Sequence, residues 1–387
     1  MLASCSAILL LLTGLAQAFF NPEAAYTIPQ LITYYGYSYE AYNVTTSDGY
    51  ILGLYRVPTG LYSSYTGGPR PVMLMIHGLG EDGSEFLLNP GNASSALYFA
   101  DSGMDVFIAN YRGTPYGLAH THLSANVYNA AFWDFTMDEF IKFDVTAIVD
   151  AVLNISGSPS IYITGHSQGG LSTLSMLSAN VSYNAKVRGV FGWAAVSNTK
   201  FSTGLAAFVQ SGGILSIAAC QAYALALGFM VPPVNPALYA VAAAFFCNGG
   251  LQSANRNDVL FGHTPSTTSI KNLEHWIELP RCPGIANCKF DYGFFGNLAK
   301  YGTFIPPSYD YSHVATKVWL YSGGQDALST AGEAAALQAR LTGAGVFQGI
   351  TNIATYNHLD FLFAVDAVTQ VYAPVVATVY ADFNGSG

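Results

Sequence analysis

The stretch Ile161-Tyr162-Ile163-Thr164-Gly165-His166-Ser167-Gln168-Gly169 decides how this chain is read. Its first four residues form a β-rich run, and Leu171 to Ala179 after it is compatible with a helix. Between them, G-x-S-x-G sets a serine at the turn from strand to helix, the pattern of a nucleophile elbow. The glycines have a steric purpose, because a Cβ at those positions would collide with neighbouring backbone in so tight a turn. The serine oxygen is then held at the end of a sheet. The N–H of Gln168 lies at the start of the helix, where the dipole favours an oxyanion. A bare G-x-S-x-G also arises in ordinary turns, so its meaning depends on the rest of the chain.

Short apolar runs recur on both sides of the elbow: Val72 to His77, Asp105 to Asn110, Val190 to Ala195, Val318 to Ser322 and Ile350 to Thr355. They alternate with helical stretches, which predicts a mostly parallel sheet covered on both faces. Ahead of them, Tyr42 to Thr46 and Tyr50 to Val57 flank Ser47-Asp48-Gly49, a strong hairpin signal. Asp138 to Leu153 carries Phe140, Ile141, Val145, Ile148, Val149 and Val152 at near-helical spacing. Phe361 to Val379 reads as a terminal helix with Asp360 as its N-cap.

A serine is a poor nucleophile unless a base takes its proton and a carboxylate orients that base. On an elbow of this kind the chain order is serine, acid, histidine, each on a loop after a sheet strand. Val318-Trp319-Leu320-Tyr321 followed by Ser322-Gly323-Gly324-Gln325-Asp326 makes Asp326 the acid. Asp258, Asp291 and Asp310 lack such a preceding strand and read as turn or surface carboxylates. Only His358 lies beyond Asp326, between Ile350 to Thr355 and the terminal helix. The second oxyanion donor is expected after an early strand near a His-Gly pair, and His77-Gly78-Leu79 selects the N–H of Leu79 beside that of Gln168. His77 and His166, each committed to a tight turn, read as packing or loop-ordering residues rather than proton carriers.

With 387 residues, the chain suits one large α/β domain with an insertion. Only 10% of residues are charged, against roughly 25% in an average globular protein, and the mean hydropathy is positive. A net charge of -9 without any Lys/Arg cluster argues against a nucleic acid or an anionic membrane held by charge. A lipid or other neutral substrate fits better. Phe201 to Asn255 contains no Asp, Glu, Lys, Arg or His. Its run Ile214 to Val231 barely reaches transmembrane length, contains Ser216, Cys220 and Gln221, lacks flanking basic residues, and falls between two strands of one sheet. It is read as part of an apolar cap or lid.

The resulting organisation is a secretory signal over residues 1–18, a first core segment over 19–198, a cap insertion over 199–275 and a second core segment over 276–387. The signal rests on the apolar run Ala7 to Leu12 and the ending Ala16-Gln17-Ala18, without the usual basic start. Beyond it four cysteines remain, for which proximity favours Cys220–Cys247 and Cys282–Cys288 among three possible pairings. None has histidine at metal-ligand spacing, so no metal site is expected. Asn43, Asn92, Asn154, Asn180 and Asn384 head N-glycosylation sequons, which agree with secretion.

Taken together, Tyr42-Asn43-Val44-Thr45-Thr46-Ser47-Asp48-Gly49-Tyr50-Ile51-Leu52, His77-Gly78-Leu79, Asn110-Tyr111-Arg112-Gly113, Phe132-Trp133-Asp134-Phe135, Gly165-His166-Ser167-Gln168-Gly169, Ser322-Gly323-Gly324-Gln325-Asp326 and Asn357-His358-Leu359-Asp360-Phe361 resemble the acid lipase family of α/β-hydrolases, in the family's order. The resemblance implies the α/β-hydrolase fold with a helical cap, a triad of Ser167, Asp326 and His358, and oxyanion donors at Leu79 and Gln168. It also implies that the substrates are long-chain acyl esters, triacylglycerols or sterol esters, met at a lipid–water interface. No cofactor is expected, a monomer is, and the location is extracellular or lysosomal, with transient contact to a membrane or lipid droplet. Gly170, where these lipases usually carry threonine, and Thr114, where they carry asparagine, depart from the pattern. Two other functions fit the same fold: a soluble small-ester carboxylesterase, and a catalytically idle lipid-binding protein.

Overall fold

A computed structural model describes residues 21–63, 65–212, 214–228, 230–231 and 256–385. Eleven strands are present among them: β1 (Glu40–Thr45), β2 (Tyr50–Val57), β3 (Val72–Ile76), β4 (Asp105–Ile108), β5 (Ala119–His120), β6 (Ile161–His166), β7 (Val187–Trp193), β8 (Met230–Val231), β9 (Thr268–Ser269), β10 (Lys317–Gly323) and β11 (Phe347–Ile353). The main sheet has the order β1-β2-β4-β3-β6-β7-β10-β11, with β5 pairing β2. From β4 to β11 every neighbouring pair is parallel, while β1 and β2 form an antiparallel hairpin at one edge. The expected α/β architecture is therefore present. A parallel strand buried on both faces has no polar side to show, which is why Val72-Met73-Leu74-Met75-Ile76 is apolar throughout.

Alternate residues of that strand feed two cores. Val72, Leu74 and Ile76 pack with Val145, Ile148, Val149 and Val152 of one helix (Val145–Ser156) and with Leu171 and Leu174 of another (Gln168–Ala179). Met73 and Met75 pack on the opposite face with Ile28, Leu31, Leu97 and the terminal residues Val371, Val375 and Val379. Helices thus cover both faces.

Chain order also locates the crevice. From β3 the chain moves to β4 on one side, and β6 pairs β3 on the other. At such a reversal, the loops leaving the carboxyl ends of neighbouring strands diverge and open a cleft between them. Here those loops carry Leu79 and Ser167.

Several expected boundaries need correction, among them the strand expected over Ile350 to Thr355, which is β11, Phe347–Ile353. The strand predicted from Val190 begins at Val187 and ends at Trp193, so Ala194 and Ala195 belong to the following loop. The helix predicted from Asp138 is a continuous segment interrupted by a π-turn over Phe140–Asp144. The terminal helix is broken into Asp360–Phe363, a π-turn at Val368–Tyr372, and Ala373–Asn384. Asp360 is its first helical residue rather than its N-cap, and its carboxylate accepts the N–H of Asn357 at 2.8 Å. Helical periodicity tracks only the apolar face of a segment and does not reveal a π-turn within it.

The π-turn serves Arg112. Asp144 accepts from Arg112 Nε at 2.8 Å, Nη2 at 2.6 Å and the Arg112 backbone N–H at 3.0 Å. The other edge of the guanidinium reaches Asp48 in the hairpin turn at 2.7 and 2.9 Å, and its carbon lies 3.9 Å from the centre of the Tyr50 ring. One buried cation therefore fastens the edge hairpin, the loop after β4 and the helix leading to β6.

After β7 the chain leaves the sheet and rejoins it at β10. In between stand the helices Gly204–Gly212, Ile214–Leu227, Asn257–His263, Ile270–Glu278 and Gly293–Tyr301, and the small antiparallel pair β8–β9. Helix Ile270–Glu278 runs through the boundary expected at 275/276. Helix Ile214–Leu227 stops short of the Val231 expected for the apolar run, and among the described residues no helix is long and apolar enough to cross a membrane.

Arg112→Met leaves Asp144 buried without its counter-charge, and should lower unfolding free energy by about 3–5 kcal/mol in denaturant titrations. The double variant Arg112→Met/Asp144→Leu should recover much of that loss.

Candidate active site

The elbow forms at the end of β6 as the glycine spacing requires. Ser167 sits at φ 50° and ψ -115°, outside the regions an ordinary residue prefers. A Cβ on Gly165 would lie 2.5 Å from the N of Gly170, and one on Gly169 would lie 2.1 Å from the carbonyl oxygen of Ile76. Neither position tolerates a side chain. The Ser167 N–H donates to the carbonyl of Trp193 at 2.8 Å, so the end of β7 also holds the turn.

Ser167, His358 and Asp326 meet as chain order predicts, although they lie far apart in sequence. His358 Nε2 is 2.8 Å from Ser167 Oγ, and His358 Nδ1 is 2.8 Å from Asp326 Oδ2. The other Asp326 oxygen accepts the N–H groups of Leu328 at 2.8 Å and Ser329 at 2.7 Å. These bonds fix the carboxylate, which fixes the ring, which faces the hydroxyl. All three side chains are buried, Ser167 being 2% exposed. The rejected carboxylates bind backbone: Asp310 accepts from Ser312 N–H and Asp291 from Gly293 N–H in local turns, and Asp258 accepts from the distant Asn21 N–H at 3.0 Å.

Gln168 is the first residue of the helix Gln168–Ala179, where backbone N–H groups have no intrahelical acceptor. The loop after β3 lies against the serine: a Cβ built on Gly78 would be 3.3 Å from Ser167 Cβ and 3.0 Å from His166 Nδ1. Leu79 follows directly and is buried. The Gln168 side chain is held as well, its Oε1 accepting from Trp276 Nε1 at 2.6 Å and Asn272 Nδ2 at 3.3 Å on helix Ile270–Glu278. The residue after the serine is thereby tied to the insertion.

Sequence reasoning missed the buried carboxylates that frame this site. Glu333, fully buried, accepts backbone N–H groups from Ser197, Asn198, Thr199 and Phe201, the segment where the chain leaves β7 for the insertion. Glu85 and Glu81 follow the Leu79 loop. Glu85 Oε2 lies 3.2 Å from His166 Nδ1, while His166 Nε2 donates to the carbonyl of His358 at 3.0 Å. Glu81 accepts from Thr264 Oγ1 at 2.6 Å, and the neighbouring Asp82 accepts from Ser266 Oγ at 2.8 Å, so the loop is also clasped to the insertion. Burial pushes the Glu81 carboxyl well above its ordinary range, and the charge of Glu85 adds to this. The only sequence signal was three acidic residues in an apolar, glycine-rich segment.

His77 and His166 order loops, as expected. Tyr111 N–H donates to His77 Nε2 at 3.2 Å, so the ring proton is on Nδ1, 2.9 Å from the carbonyl of Gly78. Burial lowers the His77 pKa, which keeps that ring neutral.

Cys282 and Cys288 form a disulfide, the pairing expected for them. Cys247 lies outside the described residues, and with it the expected Cys220–Cys247 pairing. Among the described residues no group of three or more His, Cys, Asp or Glu is placed to hold a metal ion. The sequon residues Asn43, Asn92, Asn154 and Asn384 are exposed, and Asn180 is half-buried.

A serine at a strand–helix elbow, with a histidine and an aspartate in line behind it at a reversal of strand order, defines a serine hydrolase of the α/β-hydrolase fold. Comparisons agree. Residues 28–90 match the family model "partial alpha/beta-hydrolase lipase region", and residues 71–211 match "alpha/beta hydrolase fold". Lipase lipl-1 of Caenorhabditis elegans is 34% identical over 95% of this chain and 94% of its own length. The gastric triacylglycerol lipase of Mus musculus is 31% identical over 94% and 93%. Among solved structures, a lipase in an open form superposes with a TM-score of 0.52 at 15% identity over 89% of this chain and 99% of that one. The monoacylglycerol lipase of Paleococcus ferrophilus gives 0.50 at 14% over 85% and 99%. These two likenesses concern the fold. The chain belongs to the acid lipase family of α/β-hydrolases and is a carboxylic ester hydrolase of the lipase type.

The raised Glu81 pKa has a sign that can be checked. A carboxyl whose folded pKa lies above its unfolded value of about 4.5 stabilises the fold fully below that value, and this contribution is lost as pH rises through the folded pKa. Wild-type stability should therefore be lower at a pH well above the ordinary carboxylate range than at a pH near 4.5. Glu81→Gln, which retains an oxygen acceptor for Thr264 but has no proton to lose, should narrow the fall in denaturant titrations at the two pH values.

Proposed function

We propose that this chain hydrolyses carboxylic esters of water-insoluble lipids, triacylglycerols or sterol esters, through an acyl-enzyme on Ser167. The observation that carries this reading is the hydrogen-bonded line Ser167–His358–Asp326, 2.8 Å at each step. His358 Nε2 takes the Ser167 proton as Oγ attacks the ester carbonyl, and Asp326 stabilises the imidazolium. The N–H groups of Leu79 and Gln168 receive the oxyanion. His358 then protonates the leaving alcohol, and a water molecule activated by the same ring releases the acid. No cofactor enters the cycle.

The lipid substrate is argued from surface and access. Leu215, Leu225 and Leu227 of helix Ile214–Leu227 are largely exposed, in a stretch of sequence free of charge. An exposed apolar face on the insertion fits contact with a lipid–water interface, a membrane or a droplet. The insertion between β7 and β10 acts as the cap over Ser167, with helix Ile270–Glu278 wholly inside it. Because Ser167 is buried, entry of a bulky ester requires the segments around it to move apart. The disulfide and the exposed sequons support an oxidising destination, secreted or lysosomal, after removal of residues 1–18. The enzyme acts as a monomer.

Purified wild type should hydrolyse emulsified long-chain triacylglycerol or sterol ester faster than a dissolved short-chain ester. Ser167→Ala should lose at least about 10⁴-fold in kcat on both. Retention of more than a tenth of wild-type activity by Ser167→Ala would remove the reading, and preference for the dissolved ester would make the chain a small-ester carboxylesterase.

A further inference from the structure

Behind the Ser167–His358–Asp326 line lies a second set of buried titratable groups that the proposed reaction does not consume. His166 precedes the serine and is 1% exposed, and Glu85 is equally buried. The carbonyl oxygen of His358, 3.0 Å from His166 Nε2, can only accept, so that nitrogen carries a proton. The carboxylate of Glu85, 3.2 Å from His166 Nδ1, also accepts. With Glu85 ionised, both ring nitrogens donate, and a ring that donates twice is an imidazolium. Burial opposes this charge, but the Glu85 carboxylate outweighs it and the His166 pKa is raised.

Other charged and titratable groups face the pair: Asp326 on the side of His166, and His77, Glu81, Tyr111 and Tyr372 on the side of Glu85, with Asp82 beyond His77 and Glu81. The rings of His166 and His358 lie with centres 5.2 Å apart. Glu85 Oε2 also receives the N–H of Gly78 at 3.4 Å, and Glu85 Oε1 has no hydrogen-bond partner among the described residues. A carboxylate buried this deeply and satisfied on one oxygen is costly unless an opposite charge sits beside it. His166 is the group in place to supply it.

We propose that Glu85 and His166 form a buried carboxylate–imidazolium pair that positions the reacting groups: through the carbonyl of His358 it holds the base, and through the N–H of Gly78 it holds the loop bearing the Leu79 oxyanion donor. The pair rests on the reading of Ser167 and His358 as the reacting groups. Neither residue touches the substrate, so both are positioning residues. The consequence is geometric. The His358 ring is attached to a backbone held by His166, the immediate neighbour of Ser167, so base and nucleophile move together with the elbow. Displacement of reacting groups by about 1 Å costs on the order of a hundredfold in rate.

Glu85→Gln and His166→Gln, singly and together, test the pair on a dissolved ester, with thermal unfolding measured alongside and Ser167→Ala as a parallel control. Each single variant should remain folded and lose about tenfold to a hundredfold in kcat with KM within about twofold. The double variant should lose no more than the worse single one, because the two side chains act as one unit. In wild type labelled with ¹⁵N at histidine, NMR near neutral pH should show both His166 ring nitrogens protonated, and Glu85→Gln should convert that ring to neutral imidazole. A neutral His166 in wild type, single variants with wild-type kcat, or losses that multiply in the double variant would each overturn the pair. Should the variants fail to fold, the wild-type spectrum decides by itself. Activity retained by Ser167→Ala would strike the reading of the site, whereas an inactive Ser167→Ala beside fully active Glu85→Gln and His166→Gln would strike only the pair.

Discussion

Ser167 is held at a positive φ, a conformation that costs a non-glycine residue about 1–3 kcal/mol and persists only where its surroundings leave no alternative. Here those surroundings are the sheet itself. The Ile76 carbonyl at the end of β3 leaves no room for a side chain at Gly169, and the Trp193 carbonyl at the end of β7 receives the Ser167 N–H. The two strands flanking β6 thus hold the turn that β6 delivers. Because the turn cannot relax, the other reacting groups must be brought to it. β10 brings Asp326, and the loop after β11 brings His358.

A chain with so few charges uses several of them inside. Arg112 joins Asp48 to Asp144, Glu333 gathers four backbone N–H groups at the start of the insertion, and Glu85 faces His166. Each of these carboxylates satisfies donors belonging to a loop or turn, where no ladder or helix supplies acceptors. They are structural pins for irregular backbone, and they surround the crevice because its walls are loops. The exposed surface of Ile214–Leu227 carries no charge and is mostly apolar, with Leu215, Leu225 and Leu227 beside Gln221. The same economy of charge that pins the loops suits a protein whose proposed partner is an uncharged lipid surface.

The legible part of the sequence follows from locality. Gly165 to Gly169 is one turn, and Asp326 and His358 each follow a recognisable strand, so strand order alone assembled them. The hairpin at Asp48-Gly49 is equally local. What could not be read are contacts between distant residues: Glu85 with His166 across 81 positions, Gln168 with Trp276 across 108, and Arg112 with Asp144 through a π-turn that leaves the apolar period almost unchanged. The breaks in the terminal helix are hidden for the same reason. Periodicity reports which face of a segment is apolar, and says nothing of a carboxylate such as that of Asp360 turned back onto the loop before it.

The most direct measurement of the central claim is covalent labelling of wild-type protein with an alkyl phosphonate, followed by peptide mass spectrometry. The account predicts one equivalent of label, on Ser167, with ester hydrolysis declining in proportion to its occupancy. Hydrolysis that persists when Ser167 is fully labelled, or complete inhibition with the label on another residue, would contradict it.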